Sequence, residues 1–157
     1  MVYIITGPVN SGKTTHLGRI CMKTGSGDGF LLEKQIVEGR FIGQRIKRVG
    51  AADGHPFTCK TDHIPPGWDE MLSYGNFSFS REGLEYAHQI IREAVEKKRT
   101  PIFIDEIGPL ELSGKCFDEL MKLALSIEAD LFITVRDTCL NQVVNRYRLD
   151  SYCIVLK

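Results

Sequence analysis

A segment near the amino terminus places two glycines, a lysine and a threonine at a spacing suited to binding phosphate. Gly7-Pro8-Val9-Asn10-Ser11-Gly12-Lys13-Thr14 matches the pattern G-x-x-x-x-G-K-[ST] at every fixed position. The glycines allow a tight turn in which successive backbone N–H groups point inward at phosphate oxygens, and the following helix adds its positive amino-terminal end. We therefore predict a phosphate-binding loop that extends through Thr15.

The last residues of this loop predict two specific contacts. Lys13 supplies a mobile positive charge for binding and reaction at the β- and γ-phosphates of a nucleotide, and the Thr14 hydroxyl is the expected Mg²⁺ ligand. A chance Gly-Lys-Thr turn rarely falls between a strand and a helix. This one follows the apolar run 2–5 and precedes apolar residues at helical spacing, which favours the functional interpretation.

A pair of carboxylates, Asp105 and Glu106, is the second candidate for chemistry. Apolar residues 102–104 precede the pair and place it at the carboxyl end of a buried strand, an arrangement called Walker B. Asp105 is expected to hold Mg²⁺ through a water, and Glu106 to orient and polarise an attacking water. The alternative is that Glu106 only solvates the strand end or pairs with a basic neighbour.

Strands and helices alternate along the chain around these candidates. Strands are predicted at 2–5, in a hairpin within 30–49 that turns at Glu38-Gly39, and at 101–104, 131–135 and 152–156. Helices are predicted after Thr14, after a Ser80 cap, after a Ser113 cap and through residues 140–147. Residues 50–66 are predicted as a long surface loop. This order favours an α/β fold with a parallel sheet, helices on both faces and ligands at the carboxyl ends of the strands.

Composition limits the classes of protein to consider. With 157 residues the chain fits one domain, 1–157, and its 20 basic residues balance 20 acidic ones, so a nucleic-acid partner is not expected. The five cysteines are odd in number and widely spaced, which favours a reducing compartment. No apolar run approaches the roughly 20 residues of a membrane span. We expect a cytoplasmic monomer or weak oligomer without a membrane partner.

Several motifs together resemble the small THEP-type nucleoside-triphosphatases. In that family the strand with the acidic pair runs into I-G-x-[ML]-E-L, matched here by Ile107-Gly108-Pro109-Leu110-Glu111-Leu112, and Phe117 follows. Gly39-Arg40 with Gly43, and Tyr74-Gly75-Asn76-Phe77, match two further features of the family. The resemblance covers most of the chain, and it is loosest over the predicted surface loop.

This resemblance implies a P-loop NTPase fold with a RecA-like parallel sheet and a β-hairpin insertion. It also implies slow, Mg²⁺-dependent hydrolysis of ATP, GTP or another nucleoside triphosphate to the diphosphate and phosphate, with weak base selectivity. Lys13 and Thr14 then match the phosphate and metal residues, Asp105 the Walker B acid and Glu106 the candidate base. Glu111 matches a family acid to which the sequence assigns no role.

Arg136 is a further candidate, because it follows the strand predicted over residues 131–135. In a RecA-like sheet that strand lies beside the strand leading into the phosphate-binding loop. Arg136 would then lie near the γ-phosphate and act as a sensor or charge stabiliser. A solvated or helix-capping arginine is the alternative interpretation.

Three other functions remain open at this point. A nucleotide or small-molecule kinase needs an acceptor pocket and usually an arginine-rich lid, and residues 50–66 contain only Lys60 among lysines and arginines. A regulatory module would bind a nucleotide and signal through a protein partner that the sequence does not identify. An oligomeric motor on nucleic acid conflicts with the neutral charge balance.

The variant Lys13→Ala tests the predicted phosphate-binding loop. It should abolish nucleotide binding, because it removes the positive charge that faces the β- and γ-phosphates. Titration of a fluorescent nucleoside triphosphate into the protein measures the effect, with Lys97→Ala as a matched loss of charge elsewhere. Unchanged affinity in Lys13→Ala would contradict the prediction.

Overall fold

One mixed β-sheet with helices on both faces forms the frame of this computed structural model, which describes residues 1–155. Within that range the strands are β1 (Val2–Gly7), β2 (Asp28–Val37), β3 (Arg40–Arg48), β4 (His55–Lys60), β5 (Glu70–Tyr74), β6 (Phe77–Ser80), β7 (Ile102–Ile107), β8 (Leu131–Arg136) and β9 (Tyr152–Ile154). The helices are α1 (Lys13–Thr24), α2 (Arg81–Glu96), α3 (Pro109–Leu112), α4 (Asp118–Leu125) and α5 (Leu140–Arg146). The sheet order is β5-β6-β4-β3-β2-β7-β8-β1-β9.

The parallel half of the sheet, β2-β7-β8-β1-β9, carries both predicted chemical motifs. Strand β1 lies between β8 and β9, and β8 separates β1 from β7, as a RecA-like order requires. Strands β1, β7 and β8 are rich in apolar and β-branched residues because helices cover both of their faces. Ile4 packs into the cluster on one face and Ile5 into the cluster on the other. The predicted α/β fold is confirmed.

The helices bury their apolar sides against these two faces. Helix α1 packs Leu17 and Cys21 against Ile5, while α2, α4 and α5 contribute to the larger cluster on the opposite face. The predicted cap of α2 is present, since the Ser80 hydroxyl accepts a hydrogen bond from the Gly83 N–H at 3.2 Å. Across residues 1–155, none of the helices has the length and apolar character needed to span a bilayer.

The insertion between α1 and α2 changes the sheet from parallel to antiparallel. Strands β2 and β3 form the predicted hairpin, and Glu38 and Gly39 have positive φ values of 50° and 75°, as a two-residue turn of this hand requires. Strands β4, β6 and β5 continue the antiparallel part. The sheet is mixed because the chain turns back directly after β2, without the helical crossover that a parallel neighbour needs.

The long surface loop predicted over residues 50–66 is wrong, because β4 lies within it. Cys59 is buried on this strand and pairs with Gly43 of β3. A Cβ atom on Gly43 would lie 2.0 Å from the Thr58 carbonyl oxygen, so this approach requires glycine. The sequence did not predict β4 because it contains Pro56, and proline usually interrupts a strand. In the structure Pro56 lies beside an irregularity in the register between β3 and β4.

Two other boundaries differ from the sequence prediction. Helix α3 ends just before Ser113, whose hydroxyl donates to the Leu110 carbonyl at 2.8 Å, so Ser113 does not begin a helix. The next helix begins at Asp118. Strand β9 ends at Ile154, and Leu156, part of the predicted strand 152–156, lies outside the described residues.

A buried carboxylate, Asp118, joins the start of α4 to the end of α5. Its Oδ1 accepts hydrogen bonds from Arg146 Nε and the Tyr147 hydroxyl, both at 2.9 Å, and Lys122 Nζ lies 2.9 Å from Oδ2. The bond from Arg146 is the main reason that the pKa of Asp118 is lowered from 3.8 to about 2. A lowered carboxyl pKa means that this pairing stabilises the fold above about pH 4 and stops doing so as pH falls through about 2.

The variant Asp118→Asn should therefore destabilise the protein in a pH-dependent way. At pH 7 it should lower the free energy of unfolding by about 1.5–3 kcal/mol, the usual value of a hydrogen bond to a charged group. The difference from wild type should shrink as pH falls from about 4 to 2, because wild-type Asp118 is then protonated. Urea denaturation at several pH values measures this, and a difference independent of pH would contradict it.

Candidate active site

The phosphate-binding loop joins β1 to α1 and is open to solvent. Pro8, Val9 and Asn10 are exposed. Asn10 and Gly12 have positive φ values of 59° and 83°, so the loop turns through two left-handed residues before the helix begins. No atom lies within 4 Å of a Cβ built on Gly12, so glycine is needed there for its backbone conformation and not for space. The predicted strand-to-helix setting is confirmed.

Lys13 folds back over this loop. Its ammonium donates to the carbonyl oxygens of Gly7 at 3.0 Å and Pro8 at 2.6 Å. The positive charge is thus held against the loop. Lys13 also begins α1, so its charge adds to the positive end of the helix dipole.

The acidic pair lies in a β-bulge. Strand β7 pairs Ile104 with Ile133 and Ile107 with Val135 of β8, so two β7 residues, Asp105 and Glu106, stand opposite the single residue Thr134. Glu106 has a φ of 62°, in the left-handed region that a glutamate rarely adopts. Such a conformation costs on the order of 1 kcal/mol or more and persists only where surrounding contacts impose it. The bulge separates the two carboxylates, leaving Asp105 fully buried and Glu106 exposed.

Asp105 is the meeting point of three elements. Its Oδ2 accepts hydrogen bonds from the Thr14 hydroxyl at 2.8 Å and from the Leu32 N–H at 3.0 Å, and its Oδ1 accepts one from the Thr134 hydroxyl at 2.5 Å. Burial raises the pKa of Asp105, while these three donors oppose the increase by favouring the carboxylate. The two predicted metal residues, 91 positions apart in sequence, are therefore in direct contact.

The donor chemistry of this pair fits Mg²⁺. A hydroxyl and a carboxylate are hard oxygen ligands, and Mg²⁺ commonly takes one or two protein oxygens and completes its shell with phosphates and water. Within residues 1–155 no group of three or more histidine, cysteine, aspartate or glutamate side chains is arranged to hold a metal. Thr14 and Asp105 are the residues that would hold the ion.

Glu106 is the exposed neighbour of Asp105, at the place where the phosphate-binding loop, β7 and the β2–β3 hairpin meet, a region that we call the cleft. Its N–H donates to the Thr134 hydroxyl at 2.7 Å, and its Oε1 accepts a hydrogen bond from Gln44 Nε2 at 3.2 Å. Desolvation raises the pKa of Glu106 to about 7, and the negative charge of Asp105 adds to the increase. The side chain keeps exposed surface because the cleft is open, although protein surrounds the rest of it. A carboxylate in this state accepts a proton more readily than an ordinary glutamate.

The remaining predicted residues are also located. Arg136 pairs with Gly7 across β8 and β1, which places this exposed arginine beside the phosphate-binding loop. Glu111, to which no role was assigned from the sequence, is buried and caps α3: its carboxylate accepts hydrogen bonds from the Gly108 N–H at 2.8 Å and the Phe117 N–H at 3.1 Å. The I-G-x-L-E stretch therefore holds the chain in place directly after the acidic strand.

Sequence reasoning missed three side chains at the cleft. Thr134 contacts both members of the acidic pair, Gln44 contacts Glu106, and Lys34 donates to the Asn10 side chain at 2.7 Å. A polar residue inside the apolar strand 131–135 was an available signal for Thr134. Lys34 and Gln44 had none, because alternating polar residues are ordinary on a hairpin with one solvated face.

Comparison with known proteins relates this chain to one family. The family model described as NTPase matches residues 2–156. Nucleoside-triphosphatase THEP1 from Thermotoga sp. (strain RQ2) is 26% identical over 149 residues, which cover 93% of this chain and 82% of that protein. The crystal structure of THEP1 from Aquifex aeolicus superposes with a TM-score of 0.72 at 26% identity, covering 99% of this chain and 88% of that one. A human cancer-related nucleoside triphosphatase shares the fold, with a TM-score of 0.68 at 24% identity and coverage of 98% and 86%.

The variant Thr134→Val tests whether this hydroxyl maintains the bulge. It keeps the side-chain shape but removes the bond to Asp105 and the acceptor for the Glu106 N–H. Because these groups would lose a partner in a buried region, we expect the free energy of unfolding to fall by about 1–3 kcal/mol. Urea denaturation measures the loss, and Thr138→Val, at an exposed position after the same strand, should change it by less than about 0.5 kcal/mol. Equal effects of the two variants would contradict the assignment.

Proposed function

Since the chain belongs to the NTPase family and is a nucleoside-triphosphatase, we propose that its cleft between the phosphate-binding loop, β7 and the β2–β3 hairpin carries out Mg²⁺-dependent hydrolysis of a nucleoside triphosphate such as ATP or GTP. The observation that carries this proposal is the hydrogen bond between Thr14 and Asp105 at 2.8 Å. It joins the loop that binds phosphate to the strand that presents Glu106.

Binding of the phosphate chain begins with the loop of residues 7–15. Its backbone N–H groups and the amino end of α1 favour negative charge, and Lys13 adds a full positive charge above the loop. Thr14 and Asp105 would hold Mg²⁺, which when bound would supply positive charge to the phosphate chain. Because Thr14 contacts Asp105, the neighbour of Glu106, the loop would bring the terminal phosphate close to Glu106.

Hydrolysis then requires a base and a stabiliser of charge. We assign Glu106 as the base: its carboxylate takes a proton from water as the water oxygen bonds to the γ-phosphorus. The bond from phosphorus to the bridging oxygen breaks, and its electron pair leaves with the diphosphate. Arg136, opposite Gly7 in the sheet, is assigned to stabilise negative charge on the γ-phosphate.

The kinase alternative is less well supported by the observed fold. Residues 50–66, the segment considered for a lid, include β4, which is paired on both sides within the sheet. The central part of that segment is therefore constrained by backbone pairing on both sides. A nucleotide-gated regulatory module keeps the same phosphate site, so turnover and not binding distinguishes it from a hydrolase.

The proposal also covers base selectivity and the cellular setting. We propose weak base selectivity, because the roles assigned to Lys13, Thr14, Asp105 and Glu106 concern the phosphates, the metal and the attacking water, and none concerns the base. We also propose a reducing, cytoplasmic setting: all five cysteines are free thiols, and they include the exposed Cys153.

The variant Glu106→Gln tests the assigned base. It preserves size and hydrogen-bonding capacity but cannot accept the proton, so phosphate release should fall about 10²–10⁴-fold while triphosphate binding is retained. Release of phosphate from ATP, GTP, CTP and UTP with Mg²⁺ and no acceptor gives the rates, and Glu33→Gln on the hairpin provides a control. Normal turnover in Glu106→Gln would show that another group is the base. Tight binding without release in wild type would favour a kinase lacking its acceptor or a regulatory module.

A further inference from the structure

Lys34, on the exposed part of β2, reaches back to the phosphate-binding loop. Its ammonium donates to the Asn10 side-chain oxygen at 2.7 Å and lies 5.9 Å from the centre of the Phe41 ring. The amide and the ring face are both neutral, although the ring face attracts cations weakly. These contacts hold the lysine beside the loop without cancelling its charge.

Two other cations of the hairpin are neutralised by carboxylates, whereas Arg40 and Arg45 make no ion pair within residues 1–155 and, unlike Lys34, no side-chain hydrogen bond to the phosphate-binding loop. Lys47 pairs with Glu33 at 3.4 Å, and Arg48 pairs with Asp28 at 2.7 Å and with Glu93 at 2.9 Å. Lys34, by contrast, makes no ion pair with any carboxylate of residues 1–155. An uncompensated positive charge at the edge of a phosphate-binding loop favours an anionic ligand there.

The register of the hairpin places Lys34 opposite Gln44, the residue that contacts the assigned base Glu106. Lys34 pairs directly with Gln44 of β3, and the Gln44 side chain is the one that binds Glu106. Two residues earlier on β2, the Leu32 N–H binds Asp105. The hairpin thus contacts the loop, the assigned base and the metal carboxylate within a few residues, so it forms one wall of the cleft.

We propose that Lys34 is a catalytic residue that binds the terminal phosphate of the nucleotide, as a cation supplied within the same chain. It exchanges its bond to Asn10 for one to a γ-phosphate oxygen and stabilises negative charge there during hydrolysis. The proposal rests on the function proposed above, because it concerns the same substrate. It predicts that Lys34 distinguishes a triphosphate from a diphosphate, since only the triphosphate carries that group.

The test compares Lys34→Ala, Lys34→Arg and the hairpin control Lys47→Ala. Affinities for a non-hydrolysable triphosphate analogue and for the diphosphate are measured by calorimetry with Mg²⁺, and kcat by phosphate release. Lys34→Ala should weaken triphosphate binding roughly tenfold or more, leave diphosphate binding within about twofold, and lower kcat about 10–10³-fold. Lys34→Arg should recover part of both losses because it retains the charge, and Lys47→Ala should match wild type.

Two results would overturn the proposal for Lys34. Equal weakening of triphosphate and diphosphate binding would show a general electrostatic effect, and wild-type values in Lys34→Ala would show a solvated lysine without a role. Failure of the proposed function is a separate outcome, recognised by the absence of phosphate release from the wild-type protein. The comparison of the two affinities tests Lys34 in that case as well.

Discussion

The buried carboxylate of Asp105 is the constraint on which the rest of the site depends. A negative charge without water around it is costly unless hydrogen bonds replace the lost hydration. Here the donors come from α1, β2 and β8, in the form of the Thr14 hydroxyl, the Leu32 N–H and the Thr134 hydroxyl. Stabilising this one group therefore fixes the phosphate-binding loop, the hairpin and the acidic strand relative to one another.

The same contacts explain how two adjacent acids acquire different environments. In a regular strand, Asp105 and Glu106 would each face one residue of β8, but the bulge sets both against Thr134. That single hydroxyl donates to the Asp105 carboxylate and accepts from the Glu106 N–H. Asp105 is thereby retained in the interior as a metal ligand candidate, whereas Glu106 is turned into the cleft, where Gln44 of the hairpin contacts it.

The packing of the hairpin requires the backbones of neighbouring strands to approach closely at two glycines, and the strand propensities of the residues do not predict this. A Cβ on Gly29 would lie 2.1 Å from the Phe103 carbonyl oxygen, and one on Gly43 would lie 2.0 Å from that of Thr58. The hairpin itself was predictable from its β-branched residues and the Glu38-Gly39 turn. Strand β4 was not, because Pro56 and the neighbouring polar residues suggested a loop, and burial of Cys59 becomes apparent only when β3 pairs beside it.

The amino-acid sequence by itself determined the phosphate-binding loop, the acidic pair at a strand end and the α/β character of the fold. Those features are local: they follow from glycine spacing, apolar runs and helix caps within a few residues of one another. The tertiary structure decided which distant groups meet, including Thr14 with Asp105, Gln44 with Glu106 and Lys34 with Asn10. Such contacts depend on strand order, register and a bulge, which are set by packing across the whole sheet and leave no periodic signal in the chain.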